Sequence, residues 1–229
     1  MRHIYRTLVL TILVVLFFSN MAAAQAVGGV VDLPEVDRTE GGPFYDLLFR
    51  RKSVRSFADE PMDMRQLSRL LFSGQGITRD NRFRTVPSGG AQYPIDIYVL
   101  VGDVEGLETG IYKYVPQGHR LERVNAEDRR RQMGTAALGQ DWLADAPVVL
   151  VICAEYRRIT GRYGERGERY AIIESGCTAQ NISLMSVDLG LGTVLVGAFH
   201  DRSVAQLIEA PDGVEPLLIM PIGTPAEEE

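Results

Sequence analysis

The chain has 229 residues, 24 of them basic and 30 acidic, for a net charge of −6, and 45% of it is hydrophobic. That acidity argues against a nucleic-acid partner, because such domains present a net basic face, while the apolar fraction is ample for one packed domain. Two cysteines and three histidines, with no zinc-type spacing, leave little from which to build a metal site.

Residues 1–24 read as a secretory leader. Arg2, His3 and Arg6 form a positive head, residues 8–18 an apolar stretch too short to span a bilayer comfortably, and Met21, Ala22, Ala23 and Ala24 a small-residue cleavage site before Gln25. The expectation is an exported protein, periplasmic or in the cell envelope, with no membrane span once the leader is cut. Retention of the leader as an anchor is the alternative. It carries two of the 24 basic residues and no acid, so cleavage moves the net charge from −6 to −8. Residues 25–42, with paired glycines at each end, read as an extended arm, and 43–229 as the folded domain.

Along that domain, residues 43–49 form a short amphipathic segment. Residues 63–72 place Met64, Leu67, Leu70 and Leu71 at helical spacing, with Gly74 as the stop. Residues 95–101 read as a strand. Residues 110–115 and 119–124 alternate as a hairpin does, with Pro116, Gln117 and Gly118 at its turn. A helix is predicted over 127–138, a buried strand over 148–153, and a long helix over 170–189 that Gly190 terminates. A strand over 193–197 follows, then a helix over 203–208 with Ser203 and Gln206 placed as a capping box, and a last strand over 217–222. The fold class is α+β. Gly176, Ala179, Ser183 and Ser186 form a small-residue stripe on the long helix, suited to close approach by a helix of another subunit or of the same chain. Cys153 and Cys177 are read either as a pair or as two free thiols.

Three segments carry chemistry. Arg50, Arg51, Lys52, Ser53, Val54 and Arg55 put four cations and a hydroxyl into six positions. Guanidinium forks, an ammonium and a hydroxyl together suit phosphate oxygens, although a solvated basic turn has the same composition. Pro87, Ser88, Gly89, Gly90 and Ala91 make a small-residue run that Pro94 closes, able to lie against a flat ring or simply to turn the chain. The third segment holds Gly190, Gly192, Gly197 and Ala198. A strand follows its glycines where a dinucleotide fingerprint requires a helix, so it is not one, and Gly197 with Ala198 is read as a place of close approach.

The order R-R-K-S-V-R at 50–55, R-T-V-P-S-G-G-A-Q-Y-P at 84–94, G-I-Y-K-Y at 110–114 with H-R-L at 119–121, R-Y-G-E-R-G-E-R-Y-A-I-I-E-S-G-C-T-A-Q-N at 162–181 and G-L-G-T-V-L-V-G-A-F at 190–199 resembles the nitroreductase family. Within it, the chain looks like the branch of thiazole/oxazole-forming peptide dehydrogenases. The resemblance implies a sandwich with a central mixed or antiparallel sheet flanked by helices, and a homodimer through the long central helices with FMN at the interface. It also implies that Arg51, Lys52, Ser53 and Arg55 hold the FMN phosphate and ribityl chain. Pro87, Ser88, Gly89, Gly90 and Ala91, from the other subunit, would line the flavin ring, and Gly197 and Ala198 would offer backbone N–H groups near its N5 and O4.

Two departures stand out. The chain ends on acids where many relatives close the phosphate site with bases, which leaves Arg82 or Arg84 as substitutes. Arg162 and Tyr163 stand where the peptide dehydrogenases have a Lys-Tyr pair, and an arginine is a poor proton acceptor. Tyr163 therefore remains the candidate catalytic residue, or else packs within a loop. Export also separates the protein from cytoplasmic NAD(P)H, so the expected electron donor is a redox-partner protein or a reduced quinone, and the acceptor a small molecule or peptide. The alternative is a flavin- or partner-binding protein that keeps the fold without the reaction.

Overall fold

A computed structural model describes residues 33, 34, 36, 41–80 and 82–226. The leader and most of the arm lie outside the described residues. Helix α1 (Pro43–Arg50) starts on a proline, whose missing N–H has no partner to lose in a first turn. Helix α2 (Met64–Gln75) opens with a reciprocal capping box: Gln66 N–H donates to Asp63 Oδ1 at 2.7 Å and Asp63 N–H to Gln66 Oε1 at 3.0 Å. Gly74 does not stop this helix, which runs to a C-cap at Gly76. A Cβ on Gly74 would stand 3.0 Å from the Cδ1 atoms of Ile182 and Ile97, so the glycine lets α2 lie close to its neighbours.

Two short strands, β1 (Ile77–Arg79) and β2 (Phe83–Arg84), pair next; they are too short to show alternation in sequence. Then come β3 (Ile95–Val101), β4 (Gly110–Val115), β5 (Arg120–Asn125), α3 (Arg130–Ala136), β6 (Val148–Glu155), α4 (Arg157–Tyr163), α5 (Arg166–Asp188), β7 (Gly192–Thr193), α6 (Asp201–Leu207) and β8 (Val214–Gly223). The main sheet has the order β5-β4-β3-β6-β8-β7, and every neighbouring pair is antiparallel. The hairpin at 110–125 forms where expected.

Alternation along β3 and β6 makes two cores. Ile97, Val99, Leu150 and Ile152 face α2 and α5 with Leu67, Leu70 and Ile182. Tyr98, Leu100, Val149 and Val151 face the other way, onto Met133, Leu143, Val204 and Ile208. Burial of both faces turns the central strands into continuous apolar runs and gives a three-layer sandwich.

Several expectations change. The strand expected over 193–197 shrinks to β7 plus one bridge between Val196 and Ile219. No capping box forms at Ser203, because α6 starts earlier, after His200, without a side-chain cap. Residues 157–163, given no element from sequence, form α4, so Tyr163 ends a helix and does not lie in a loop. The small stripe faces inward at Ala179, Ser183 and Ser186, leaving Gly176 exposed. The exposed apolar residues of α5 are Ile172 and Ile173, at 54% and 58%. Both cysteines are free thiols, Cys153 buried in the sheet and Cys177 half-buried on α5. Among the described residues, no helix is long and apolar enough to cross a membrane.

Candidate functional site

The basic segment is pinned by its backbone. Arg51 N–H caps α1 on Leu47 O at 3.0 Å, Ser53 bridges in parallel to Thr193, and Val54 N–H donates to Thr193 O at 3.0 Å. A Cβ on Gly192 would come within 2.7 Å of Val54, so this close approach of β7 requires glycine. With the backbone tied down, the side chains of Arg51, Lys52, Ser53 and Arg55 are left exposed. Beside them Arg50, Lys52, Ser183, Val187 and Thr193 line a cleft of about 140 Å³, into which the buried hydroxyl of Ser183 brings no hydrogen-bond partner of its own.

The second element is the turn after β2. Ser88 precedes a 3-10 turn (Gly89–Ala91), and Ser88 Oγ accepts Tyr93 N–H at 2.8 Å. Gly90, Ala91 and Tyr93 all take left-handed backbone, at φ of 58°, 54° and 47°. Glycine adopts this freely, whereas alanine and tyrosine do so under strain that the surroundings must hold, on the order of 1–3 kcal/mol each. Arg158 supplies part of that hold: it donates to Tyr93 O at 3.3 Å and to both oxygens of Asp96 at 2.8 and 2.9 Å. Lys113 Nζ donates to Asp96 Oδ2 at 2.8 Å. Burial pushes the Asp96 carboxyl up, but the Arg158 and Lys113 hydrogen bonds outweigh it and hold the group below the usual carboxylate range.

Tyr163, at the end of α4, comes to this same loop. A Cβ on Gly90 would stand 2.6 Å from the Tyr163 hydroxyl and 3.2 Å from the Arg162 guanidinium. Tyr163 packs edge-on against Tyr170, their centroids 5.2 Å apart. The Arg162 guanidinium sits 5.5 Å from the Tyr163 ring centre. Arg84 is already engaged at this loop, donating to Gln75 Oε1 at 2.7 Å and lying 4.4 Å from the Tyr93 ring centre. It does not close the cradle of its own chain.

Under the loop, Pro87, Ser88, Gly89, Tyr170, Ile173 and Cys177 surround Glu174 in a pocket of about 310 Å³. Glu174 is 2% exposed, and neither carboxyl oxygen has a hydrogen-bond partner. Burial pushes its carboxyl up to about 7, against smaller opposing effects of the Ser88 hydroxyl and the Arg84 charge. Sequence reasoning missed Glu174, Asp96 and Arg158. The legible signal for Glu174 was an acid interrupting the apolar run of the long helix.

One chain does not assemble these parts into one site. On α5 the cleft beside the cradle touches Ser183 and Val187, and the loop pocket touches Tyr170, Ile173, Glu174 and Cys177; the middles of the two sets lie roughly 17 Å apart along the helix, and the nearest pair, Cys177 and Ser183, about 9 Å. Gly197 and Ala198 lie apart from the loop pocket's lining: Ala198 O accepts from Gln140 Nε2 at 3.3 Å, and a Cβ on Gly197 would meet nothing within 4 Å. Among the described residues, the close approach expected at Gly197 therefore involves no other part of the chain.

Residues 48–224 match the sequence pattern of the Nitroreductase family. The chain belongs to that family. It is 44% identical over 197 residues to a Methanocaldococcus jannaschii protein bearing a provisional nitroreductase name, with 86% of this chain and 97% of that one covered. A Ralstonia eutropha crystal structure with the same kind of name is 34% identical, covers 86% of this chain and 89% of that chain, and superposes with a TM-score of 0.71. The microcin B17-processing protein McbC of Escherichia coli is 29% identical over 148 residues, or 61% of this chain. The match spans only 54% of McbC's own length. The nitroreductase-like fold and the oxidoreductase class expected from sequence are thus those of the family, and the resemblance to peptide-processing members extends to McbC.

Proposed function

We propose that the protein is an FMN-dependent oxidoreductase of the cell envelope that works as a homodimer. In this reading it takes electrons from a redox-partner protein or reduced quinone and passes them to a small organic molecule or a peptide. The observation that carries the proposal is the separation of the two half-sites along α5. An antiparallel crossing of α5 with its copy in a second chain, along the face that exposes Ile173, Gly176 and Gln180 and centred near Gln180, sets the loop end of one chain beside the cradle end of the other. Each flavin site is then complete only in the dimer.

The residues fit FMN. Exposed Arg51, Lys52, Ser53 and Arg55 offer charge-assisted donors to a phosphate, and the unpartnered Ser183 hydroxyl adds a group for the ribityl chain. Pro87, Ser88, Gly89, Gly90 and Ala91 present a low wall to a flat ring, and Gly197 and Ala198 supply backbone N–H groups on open chain. Bound FMN supplies reversible transfer of one or two electrons; the chain binds it, orients it and keeps water from one face. Arg162 offers no proton acceptor where the peptide-oxidising branch has lysine, which favours a small organic acceptor over oxidation of a peptide ring.

The test is the visible spectrum of the purified full chain, the chromophore released on denaturation, and the mass in solution. Flavin bands, released FMN and a dimer mass are expected, and cell fractionation should recover the protein in the envelope. A colourless protein that takes up no added FMN overturns the reading.

A further inference from the structure

Among the described residues, the buried side-chain oxygens without a hydrogen-bond partner are those of Ser183 and both carboxyl oxygens of Glu174. Ser183 belongs to the cradle already described. Glu174 is harder to account for, because a buried carboxylate without donors is among the costliest groups to place in a fold. Its neighbours relieve it only in part. From the loop, Ser88 accepts Tyr93 N–H and keeps its hydroxyl hydrogen, whose effect on the carboxyl is smaller than that of burial; from β2, Arg84 is bonded to Gln75 and stacked on Tyr93, and its charge offsets little of that burial. Its own helix offers Tyr170 and Cys177, and α4 offers Tyr163, packed edge-on against Tyr170; none of these donates a hydrogen bond to it. The carboxyl lines a pocket of about 310 Å³ whose other wall is the loop at Pro87, Ser88 and Gly89.

We propose that Glu174 is the proton-exchanging residue of this site: its carboxyl gives a proton to, or takes one from, the molecule that enters the pocket between the loop and α5. The proposal rests on the FMN reading for what occupies the pocket. In the forward step the Oε–H bond of Glu174 breaks, its electron pair stays on the oxygen, and the proton forms an N–H or O–H bond on the occupant; the reverse step restores the acid. No electrons change hands in this exchange, so it needs no oxidant. A carboxyl raised to about 7 by burial populates both protonation states near neutrality, the condition under which such an exchange is most effective. An arginine serves poorly as a proton acceptor, and Tyr163 becomes a wall of the loop. Glu174 supplies an acid–base function that neither provides.

The test is titration calorimetry of FMN binding to the full chain, in pairs of buffers with different ionisation heats, between about pH 6 and 8. Wild type should exchange a fraction of a proton, up to about one per site, that varies with pH through neutrality. Glu174→Gln should still bind FMN but lose the part of that exchange centred near neutrality, keeping only what the FMN phosphate, with a second pKa of about 6, contributes on meeting the cradle, and Glu174→Asp should restore it. Unchanged proton exchange in Glu174→Gln overturns the proposal. If wild type binds no FMN, the flavin reading fails by itself, and infrared titration of the FMN-free chain decides on Glu174. A protonated-carboxyl band that disappears with a midpoint near neutrality and is missing from Glu174→Gln supports the proposal, and a group already ionised at about pH 6 overturns it.

Discussion

At the C-terminal end of α5 the basic run 51–55 lies exposed on a backbone already satisfied by Thr193. At the N-terminal end, the loop at 87–93 holds three residues in left-handed backbone over a carboxyl that is 2% exposed. Exposed charges on a settled backbone cost the fold little and attract an anion from a distance. A buried, strained and unpaired arrangement costs the fold directly and persists only because its surroundings enforce it. The same helix thus carries a binding element that the fold tolerates and a shaping element for which the fold gives up stability. Substitutions at the two ends should separate affinity from stability.

The largest effect on stability is expected at the support of the loop end. Asp96, its side chain 10% exposed, holds both Arg158 and Lys113. Asp96→Asn should cost about 3 kcal/mol in urea unfolding, because it strips partly buried Lys113 of its counter-charge and leaves Arg158 only its pair with Glu155. The depressed carboxyl fixes the sign of the pH dependence: its contribution is present above the ordinary carboxylate range and is lost as pH falls through the lower folded-state value. Wild-type stability should therefore drop on acidification below about pH 4, and Asp96→Asn should flatten that drop.

The cradle should behave in the opposite way. Arg51→Ala combined with Arg55→Ala removes two charge-assisted donors and should weaken FMN binding about a hundredfold, near 3 kcal/mol. Because these side chains are exposed, the unfolding free energy should move by less than about 0.5 kcal/mol. The remaining affinity should also lose part of its salt dependence. An equal loss of stability and affinity would erase the distinction between the two ends.

Glu174→Gln sharpens the comparison through pH. The folded carboxyl titrates near 7, whereas an unfolded glutamate titrates near about 4.3. Between those values the folded chain keeps a proton that the unfolded chain has released, so wild-type stability declines as pH rises through the window. Glutamine has no such titration. The stability of Glu174→Gln relative to wild type should improve by about 2 kcal/mol on going from about pH 5 to pH 8, read by thermal or urea unfolding.

Much of this architecture was legible in the sequence because it depends on periodicity. The strands at 95–101 and 148–155 and the long helix are set by apolar patterns that any packed sandwich must satisfy. The basic cradle and the glycine loop were legible for a similar reason, as unusual chemistry in consecutive positions. What escaped depends on contacts distant in sequence. Gly74 looks like a helix stop until Ile182 and Ile97 are packed against it. The small stripe suits a helix of another subunit or of the same chain equally until Ala179, Ser183 and Ser186 turn inward. Asp96 and Arg158 are 62 residues apart, and no local pattern announces that they meet. Separation of the half-sites along α5 could not be seen before the fold placed one near Val187 and the other near Glu174.

The smallest effect tests how the loop keeps its shape. Gly90 has a φ of 58°, and a Cβ there would stand 2.6 Å from the Tyr163 hydroxyl. Gly90→Ala therefore combines a backbone penalty with a steric one, together about 1–2 kcal/mol. Tyr163→Phe removes only the atom in the way. If Tyr163 acts as the wall of the loop, a double-mutant cycle should show coupling of at least about 0.5 kcal/mol, with Gly90→Ala milder in the Tyr163→Phe background. If the cost of Gly90→Ala is the same in both backgrounds, the strain lies in the backbone alone and Tyr163 does not press on the loop. The cradle offers the internal control: neither substitution touches 51–55, so a phosphate-bearing ligand that contacts only those residues should bind the double variant as it binds wild type.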